Sequence, residues 1–415
     1  MWVIGISHRR APVALREQLA FGASQLSEAL RALRDEGFPV VLLSTCNRTE
    51  VYGPSEAGDV QGALLVLCHL RGVAPSLLEP YWYLHEGDDA ARHLFRVIAG
   101  LDSQIVGEGQ VANQVGQACA LAEAITAPGP GLAGLFQRAQ HVGRRVRRET
   151  GIAGYAGSSV SGAAIATAQR VFPDLATRTV LVIGAGSVGK LAAEALSHHG
   201  VGRLWVTTRT AARGRQLAMA LGANDIPWSA LPQALGEADV VLSGTGSPSR
   251  ILTRELLATV PRDGDRPLLL IDLAVPRDID PEAGELPGIT LLNVDDIHLS
   301  ACQTGWPPPD VVAQAESIVE EELERYRQWS AERRMSPLVG VLRRRAEAVR
   351  QSALSRTLAH LPNLRPEELE RVEALSRAIV KQLLHRPTVR LKASSPDSSL
   401  AQAAETLFGL SEHRA

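Results

Sequence analysis

The sequence holds no apolar run near the roughly 18 residues that a membrane-crossing helix needs, so a spanning protein is not expected. Cysteine is scarce. The four present, Cys46, Cys68, Cys119 and Cys302, lie far apart with no CxxC pair. That argues against a disulfide framework and a cysteine zinc site, and no metal is expected. Aromatic residues make up only 4% of the chain, too few for base stacking as a main binding mode. The net charge is -2, so overall charge does not point to nucleic acid. At the N-terminus, Trp2–Ile6 is apolar for only five residues before His8, Arg9 and Arg10. A signal-peptide core is longer and has its charges on the other side, so the expected location is cytoplasmic.

What is present is a globular balance of 45% hydrophobic and 21% charged residues over 415 positions. Two to four domains are expected at that length. Charge is unevenly spread: residues 331–415 carry 15 Lys/Arg against 9 Asp/Glu, a balance of +6, which leaves -8 on residues 1–330. A basic segment of this kind suits phosphates, but it equally suits solvated helix faces.

Three regions separate by pattern, and together they predict a multidomain α/β protein. Residues 1–151 open with strand-length runs at Trp2–Ile6 and Val40–Leu43 and a third strand at Glu50–Tyr52. Leu26, Leu30 and Leu33 have helical spacing between the first two, and helices are expected around Val60–Leu70 and Asp88–Ala99. This is an α+β region, with Pro128–Gly131 read as a loop. Residues 152–299 alternate apolar strands (Thr179–Ile183, Leu204–Thr207, Val240–Leu242, Leu268–Ile271) with helical stretches, which predicts a doubly wound, Rossmann-like parallel sheet. Residues 300–415 are all helical. Val312, Ala315, Val319, Leu323 and Tyr326 form one stripe from near Pro309, a second helix is expected from Leu338, and Leu369, Val372, Leu375, Ile379 and Leu383 form a third. Such stripes must be covered, and a homodimer is the preferred way. Ser394–Ser399 reads as a loop.

Val180–Gly189 is a strand running into GxGxxG: Gly184, Ala185, Gly186, Ser187, Val188, Gly189. The strand before it and the helix after it make this a dinucleotide site, since the turn lets pyrophosphate approach the helix N-terminus. The second strand ends in Thr207-Thr-Arg209 with no acid, and Arg209 suits a 2′-phosphate, so NADPH is favoured over NADH.

Cys46 follows an apolar strand, at a point where side chains leave the core and where a thiol can attack a carbonyl. A lone cysteine is more often inert core than nucleophile, and position alone leaves both readings open. The surrounding residues are distinctive. Ser44-Thr-Cys-Asn-Arg-Thr-Glu50, Gly5–Pro12 with Leu15-Arg-Glu17, Gly100–Ser103 through Gly107–Gln110 with Gln114, Ile271–Asp278, Asn293–Asp296 and His385-Arg-Pro-Thr388 occur in one order along nearly the whole chain. In that order they resemble the motifs of the glutamyl-tRNA reductases.

The resemblance implies NADPH-dependent reduction of glutamyl-tRNA(Glu) to glutamate 1-semialdehyde through a cysteine thioester, the first step of tetrapyrrole synthesis by the five-carbon route. It makes Cys46 the nucleophile and His93 a second catalytic residue. Arg48 becomes a carboxylate-gripping residue, and Thr45, Asn47, Ser103, Glu108, Gly109, Gln110 and Gln114 join it in the glutamate pocket. It implies a catalytic region, an NADPH region and a helical dimerisation region joined by a long spinal helix, the first two meeting through few direct contacts. It also brings in glutamate-1-semialdehyde aminomutase as a candidate partner. Gly109 stands where the family usually has Pro, and Ser7, Arg9 and Arg10 replace the usual Asn, Lys and Thr. Two other readings remain. A small-molecule NADP dehydrogenase needs only residues 152–299. A non-catalytic relative that binds tRNA or pathway enzymes should lack Cys46 or the glycine turn.

Overall fold

Trp2–Ser7 forms β1, and all six residues are buried. It lies inside an antiparallel sheet with β2 (Val41–Ser44), β3 (Arg48–Gly53) and β4 (Tyr83–Glu86), in the order β2-β3-β1-β4. Helices Val60–Arg71 and Gly87–Ile98 pack on β1, and helix Gln110–Ile125 packs on β2. The sequence reading missed β4 because, as an edge strand, it buries only Tyr83 fully, leaving little apolar signal. Residues 128–131 are not a loop throughout. Helix Gly129–Thr150 starts there, with Pro130 in its first turn, where a missing N–H costs nothing.

The computed structural model describes residues 1–55, 59–103, 106–107, 109–157, 160–247, 249–262, 266–301, 307–361, 363–392, 394 and 398–410. Glu108 and Cys302 lie outside the described residues, as do residues 395–397 of the expected 394–399 loop.

The second sheet is parallel throughout: β5 (Thr179–Ile183), β6 (Arg203–Thr207), β7 (Asn224–Asp225), β8 (Val240–Ser243), β9 (Leu268–Asp272) and β10 (Ile289–Asn293). Its order, β10-β9-β8-β5-β6-β7, reverses direction between β5 and β8. Doubly wound sheets bind ligands at that switch point, beyond the carboxyl ends of the strands. Val180 and Val182 enter one core with Leu196 and Ile271, whereas Leu181 and Ile183 enter another with Leu235 and Leu270. Burial on both faces explains why these strands read as unbroken apolar runs. The sequence reading missed β7, which is short and exposed, and β10, an edge strand.

Helices Pro309–Ala359, Pro366–Lys392 and Ser399–Phe408 complete the chain. The first is continuous, where two helices meeting near Leu338 were expected. Pro337 removes one backbone bond inside it. Met335, Val339 and Leu342, on both sides of that proline, are buried in one cluster with Leu391 and Ala401, which offsets the loss. The chain divides into two compact units, residues 1–320 and 321–415. Among the described residues, no helix is long and apolar enough to cross a membrane.

Candidate active site

Cys46 sits in the three-residue turn between β2 and β3 and is half-buried. The turn is fixed from several sides. Thr45 N donates to Arg48 O (2.8 Å), and the Thr45 hydroxyl accepts from the amides of Asn47 (3.1 Å) and Arg48 (3.2 Å). His8 N donates to Asn47 O (2.8 Å), and Arg16 Nη1 donates to Cys46 O (2.5 Å) and Asn47 Oδ1 (3.4 Å). The backbone around the thiol is therefore held in place without any ligand. Burial pushes the Cys68 thiol up, and burial with Glu123 beside it pushes the Cys119 thiol up to about 11. Neither supplies thiolate readily near neutral pH.

Behind the turn lies a buried charge network centred on Glu50. Its carboxylate accepts from Arg48 Nη1 (2.7 Å), from the Tyr52 hydroxyl (2.6 Å) and from the Tyr83 hydroxyl, and His93 Nε2 lies 2.9 Å from Oε1. Arg48 also donates from both terminal nitrogens to Asp102 Oδ2 (3.1 Å each). Burial alone would raise the Glu50 carboxyl, but Arg48 and His93 outweigh it and hold it well below the usual carboxylate range. With Glu50 ionised and accepting, His93 carries a proton on Nε2. Burial and the nearby Arg48 lower the His8 imidazole to about 3, so His8 is neutral.

Arg48 is only 2% exposed, and its two terminal nitrogens donate to Glu50 and Asp102. The Asp102 carboxylate also accepts from Arg9 Nε. Glu50→Gln would leave Arg48 buried with its charge only partly matched. The expected cost is roughly 3–5 kcal/mol of stability, read as a lowered melting temperature. The Glu50 carboxyl is depressed in the folded state. Its contribution is thus present above the ordinary value of 4.5 and is lost as pH falls below it, so the gap between wild type and variant should narrow in acid.

The remaining pocket residues are placed unevenly. Ser103 is buried next to Asp102, which Arg48 ties to the Cys46 turn. Gly109 is the N-cap of helix Gln110–Ile125, on which Gln110 and Gln114 share one face, both half-buried. The sequence reading gave no role to Asp102, Tyr52 or Tyr83. The available signal was weak: polar residues in apolar segments, with partners up to 93 positions away.

In the parallel sheet, Gly184, Ala185 and Gly186 line a cleft of about 160 Å³ with Thr208, Arg209, Arg213, Thr245 and Gly246. Gly184 has φ +108°, a left-handed value that favours glycine, and a Cβ on Gly189 would lie 2.2 Å from Gly184 O. A Cβ on Gly186 would meet nothing within 4 Å. The turn is thus shaped to bring backbone close to something outside the protein, beside two arginines. Among the described residues, Thr207 Oγ1 and Ser247 Oγ, next to this cleft in sequence, are buried without a hydrogen-bond partner. These features fit a phosphorylated dinucleotide. Ser187 and Val188 continue the turn into helix Ser187–His198.

The Asp272–Asp278 segment is a built turn. Asp272 accepts from Ala274 N (3.0 Å) and Ile279 N (2.9 Å), and burial pushes its carboxyl up to about 7. Asp278 accepts from Ser243 Oγ (2.7 Å), Thr245 N (2.8 Å) and Thr245 Oγ1 (2.6 Å). Residues 1–151 and 152–299 meet through two ion pairs among the described residues. Arg277 binds Glu17 through its backbone N and Nε (3.0 Å each) and through Nη2 (2.6 Å), while Asp295 binds Arg16 and Val13 N (2.9 Å).

An α+β region that presents a cysteine, held against a parallel sheet with a dinucleotide cleft, defines a dinucleotide-linked oxidoreductase. Family models agree along the chain. Residues 4–150 match the glutamyl-tRNA(Glu) reductase N-terminal domain, residues 166–299 match shikimate/quinate 5-dehydrogenase, and residues 314–410 match the glutamyl-tRNA(Glu) reductase dimerisation domain. A glutamyl-tRNA reductase of Syntrophotalea carbinolica is 39% identical over 98% of this chain and 94% of its own length. One of Myxococcus xanthus is 40% identical over 99% and 93%. The solved glutamyl-tRNA reductase of Methanopyrus kandleri matches with 27% identity and a TM-score of 0.51, covering 100% of this chain and 99% of that one. The chain belongs to the glutamyl-tRNA reductase family.

Proposed function

We propose that the protein reduces glutamyl-tRNA(Glu) to glutamate 1-semialdehyde with NADPH, as the entry step of tetrapyrrole synthesis in the cytoplasm. The observation that carries this reading is the half-buried Cys46 on a rigid hairpin turn, in the same compact unit as the Gly184–Gly189 cleft. The substrate is an ester. Cys46 Sγ attacks its carbonyl carbon, the C–O bond to the ribose breaks, and tRNA leaves with a proton. A thioester on Cys46 remains, more electrophilic than a free carboxylate. His93, whose Nε2 lies 2.9 Å from Glu50, is the second catalytic residue and aids proton transfer. Thr45, Asn47, Arg48, Ser103, Glu108, Gly109, Gln110 and Gln114 form the glutamate pocket. Gly184–Gly189 and Arg209 hold NADPH, which when bound supplies the hydride that releases the aldehyde from Cys46.

We assign residues 1–151 to catalysis, 152–299 to NADPH and 300–415 to the spinal helix and dimerisation. A homodimer is supported by the dimerisation-domain match and by Leu375, Leu383 and Leu407, which are 62%, 70% and 79% exposed in the single chain. Purified protein given glutamyl-tRNA(Glu) should release semialdehyde with NADPH and much less with NADH. Without either, mass spectrometry should find a glutamyl adduct on Cys46. No semialdehyde with NADPH, or an adduct elsewhere, would defeat the reading.

A further inference from the structure

We propose that Arg16 and Glu17 are positioning residues that dock the cofactor-binding sheet on the catalytic region and link that docking to Cys46. The proposal rests on the function proposed above and adds how the two sites are brought into register.

The two residues are neighbours on the short helix Val13–Leu19, whose N-cap is Pro12 and which has no side-chain cap of its own. Asp295, 282 positions further on, supplies the missing acceptor by taking the Val13 N–H (2.9 Å). The other oxygen of Asp295 binds Arg16 Nη2. The Arg16 side chain is only 2% exposed, and its remaining donors go to Ala11 O (3.1 Å), Cys46 O (2.5 Å) and Asn47 Oδ1 (3.4 Å). One guanidinium therefore joins the carbonyl of the cysteine itself to the first turn of helix Val294–Ala301, which follows β10. That turn is stiff: Asp295 N donates to Asn293 Oδ1 (2.8 Å), and Asn293 N donates to Asp296 Oδ2 (2.9 Å).

Glu17 makes the second point of attachment. It takes a forked contact plus the backbone N–H of Arg277, in the built turn that follows β9. A planar fork on a carboxylate fixes orientation as well as distance. Both anchors lie beyond the carboxyl ends of β9 and β10, the edge of a doubly wound sheet where the dinucleotide is held. Two contacts at different strands prevent rotation as well as separation. When they are made, the Cys46 turn and the glycine turn share one frame; when they open, Arg16 loses its carboxylate partner and the Cys46 carbonyl loses part of its support. Thioester formation needs only the catalytic region, whereas its reduction needs both regions in register.

The test is a charge swap on the exchangeable pair. Full-length Glu17→Arg and Arg277→Glu variants, and the double variant, are assayed for semialdehyde formation with NADPH and for deacylation of glutamyl-tRNA(Glu) without it. Amide hydrogen exchange is followed over residues 13–19 and 274–279. Each single variant should lose reduction by about tenfold or more, keep deacylation within about twofold, and exchange faster in both segments. The double variant should recover most of the reduction. Arg277→Gln, which removes the charge without reversing it, should show the same split. Singles that reduce at the wild-type rate, singles that lose both activities in parallel, or a double variant no better than its parents would overturn the proposal. Wild-type protein inert in both assays would instead refute the function on which it rests.

Discussion

Cys46→Ser should abolish reduction of glutamyl-tRNA, by roughly three orders of magnitude or more. The loss has two causes. A serine hydroxyl is a far weaker nucleophile than a thiolate near neutral pH, and any ester it formed would be less electrophilic than a thioester. The fold should not suffer, because the turn is held through the backbone of residue 46 and the side chains of Thr45, Arg16 and Asn47, none of which the substitution removes. Cys68→Ser and Cys119→Ser serve as controls. Their thiols are pushed up by burial, so their replacement should leave the rate nearly unchanged. Steady-state semialdehyde release checks all three. A near-normal rate in Cys46→Ser, with loss in Cys119→Ser, would reverse the assignment.

Gly186→Val should separate the two halves of the reaction. A Cβ at position 186 meets no protein atom within 4 Å, so valine can be accommodated without rearranging the sheet. Its side chain would instead occupy the open side of the cleft lined by Gly184, Arg209 and Gly246. Dinucleotide affinity should fall by about 100-fold, equivalent to about 2.8 kcal/mol, and reduction with it. Deacylation without NADPH depends on the Cys46 turn and should persist. The comparison with Gly189 is informative: a Cβ there would lie 2.2 Å from Gly184 O, so Gly189→Val should disturb folding itself. Titration of NADPH by fluorescence, beside both rate assays, distinguishes the cases. Parallel loss of deacylation and reduction in a folded Gly186→Val protein would show that the two sites are not separable.

Much of the architecture was legible because local pattern and tertiary environment agree. Strands β5, β8 and β9 are buried on both faces, so their apolar runs carry a signal that survives without the structure. The Gly184–Gly189 turn was readable for a related reason, since a backbone conformation that favours glycine leaves glycine in the sequence. Edge strands β4, β7 and β10 were not, because partial exposure relaxes the alternation that marks a strand. A second helix was expected from Leu338, yet Met335, Val339 and Leu342 pack together in one continuous helix across Pro337. Propensity yields where burial is larger.

By itself the sequence determined the three regions, the family resemblance carried by Thr45–Arg48 and Gly100–Ser103, the identity of the candidate nucleophile and the phosphate-binding turn. Only the tertiary structure decided what the charged residues do. Arg48 finds Asp102 across 54 positions. Glu17 finds Arg277 across 260 positions, and Arg16 finds Asp295 across 279. The physical reason is that apolar periodicity is a local consequence of which face is buried, whereas an ion pair depends only on proximity in space. Two charges in distant segments leave no mark on each other's neighbourhood until the chain has folded and brought them within hydrogen-bonding reach.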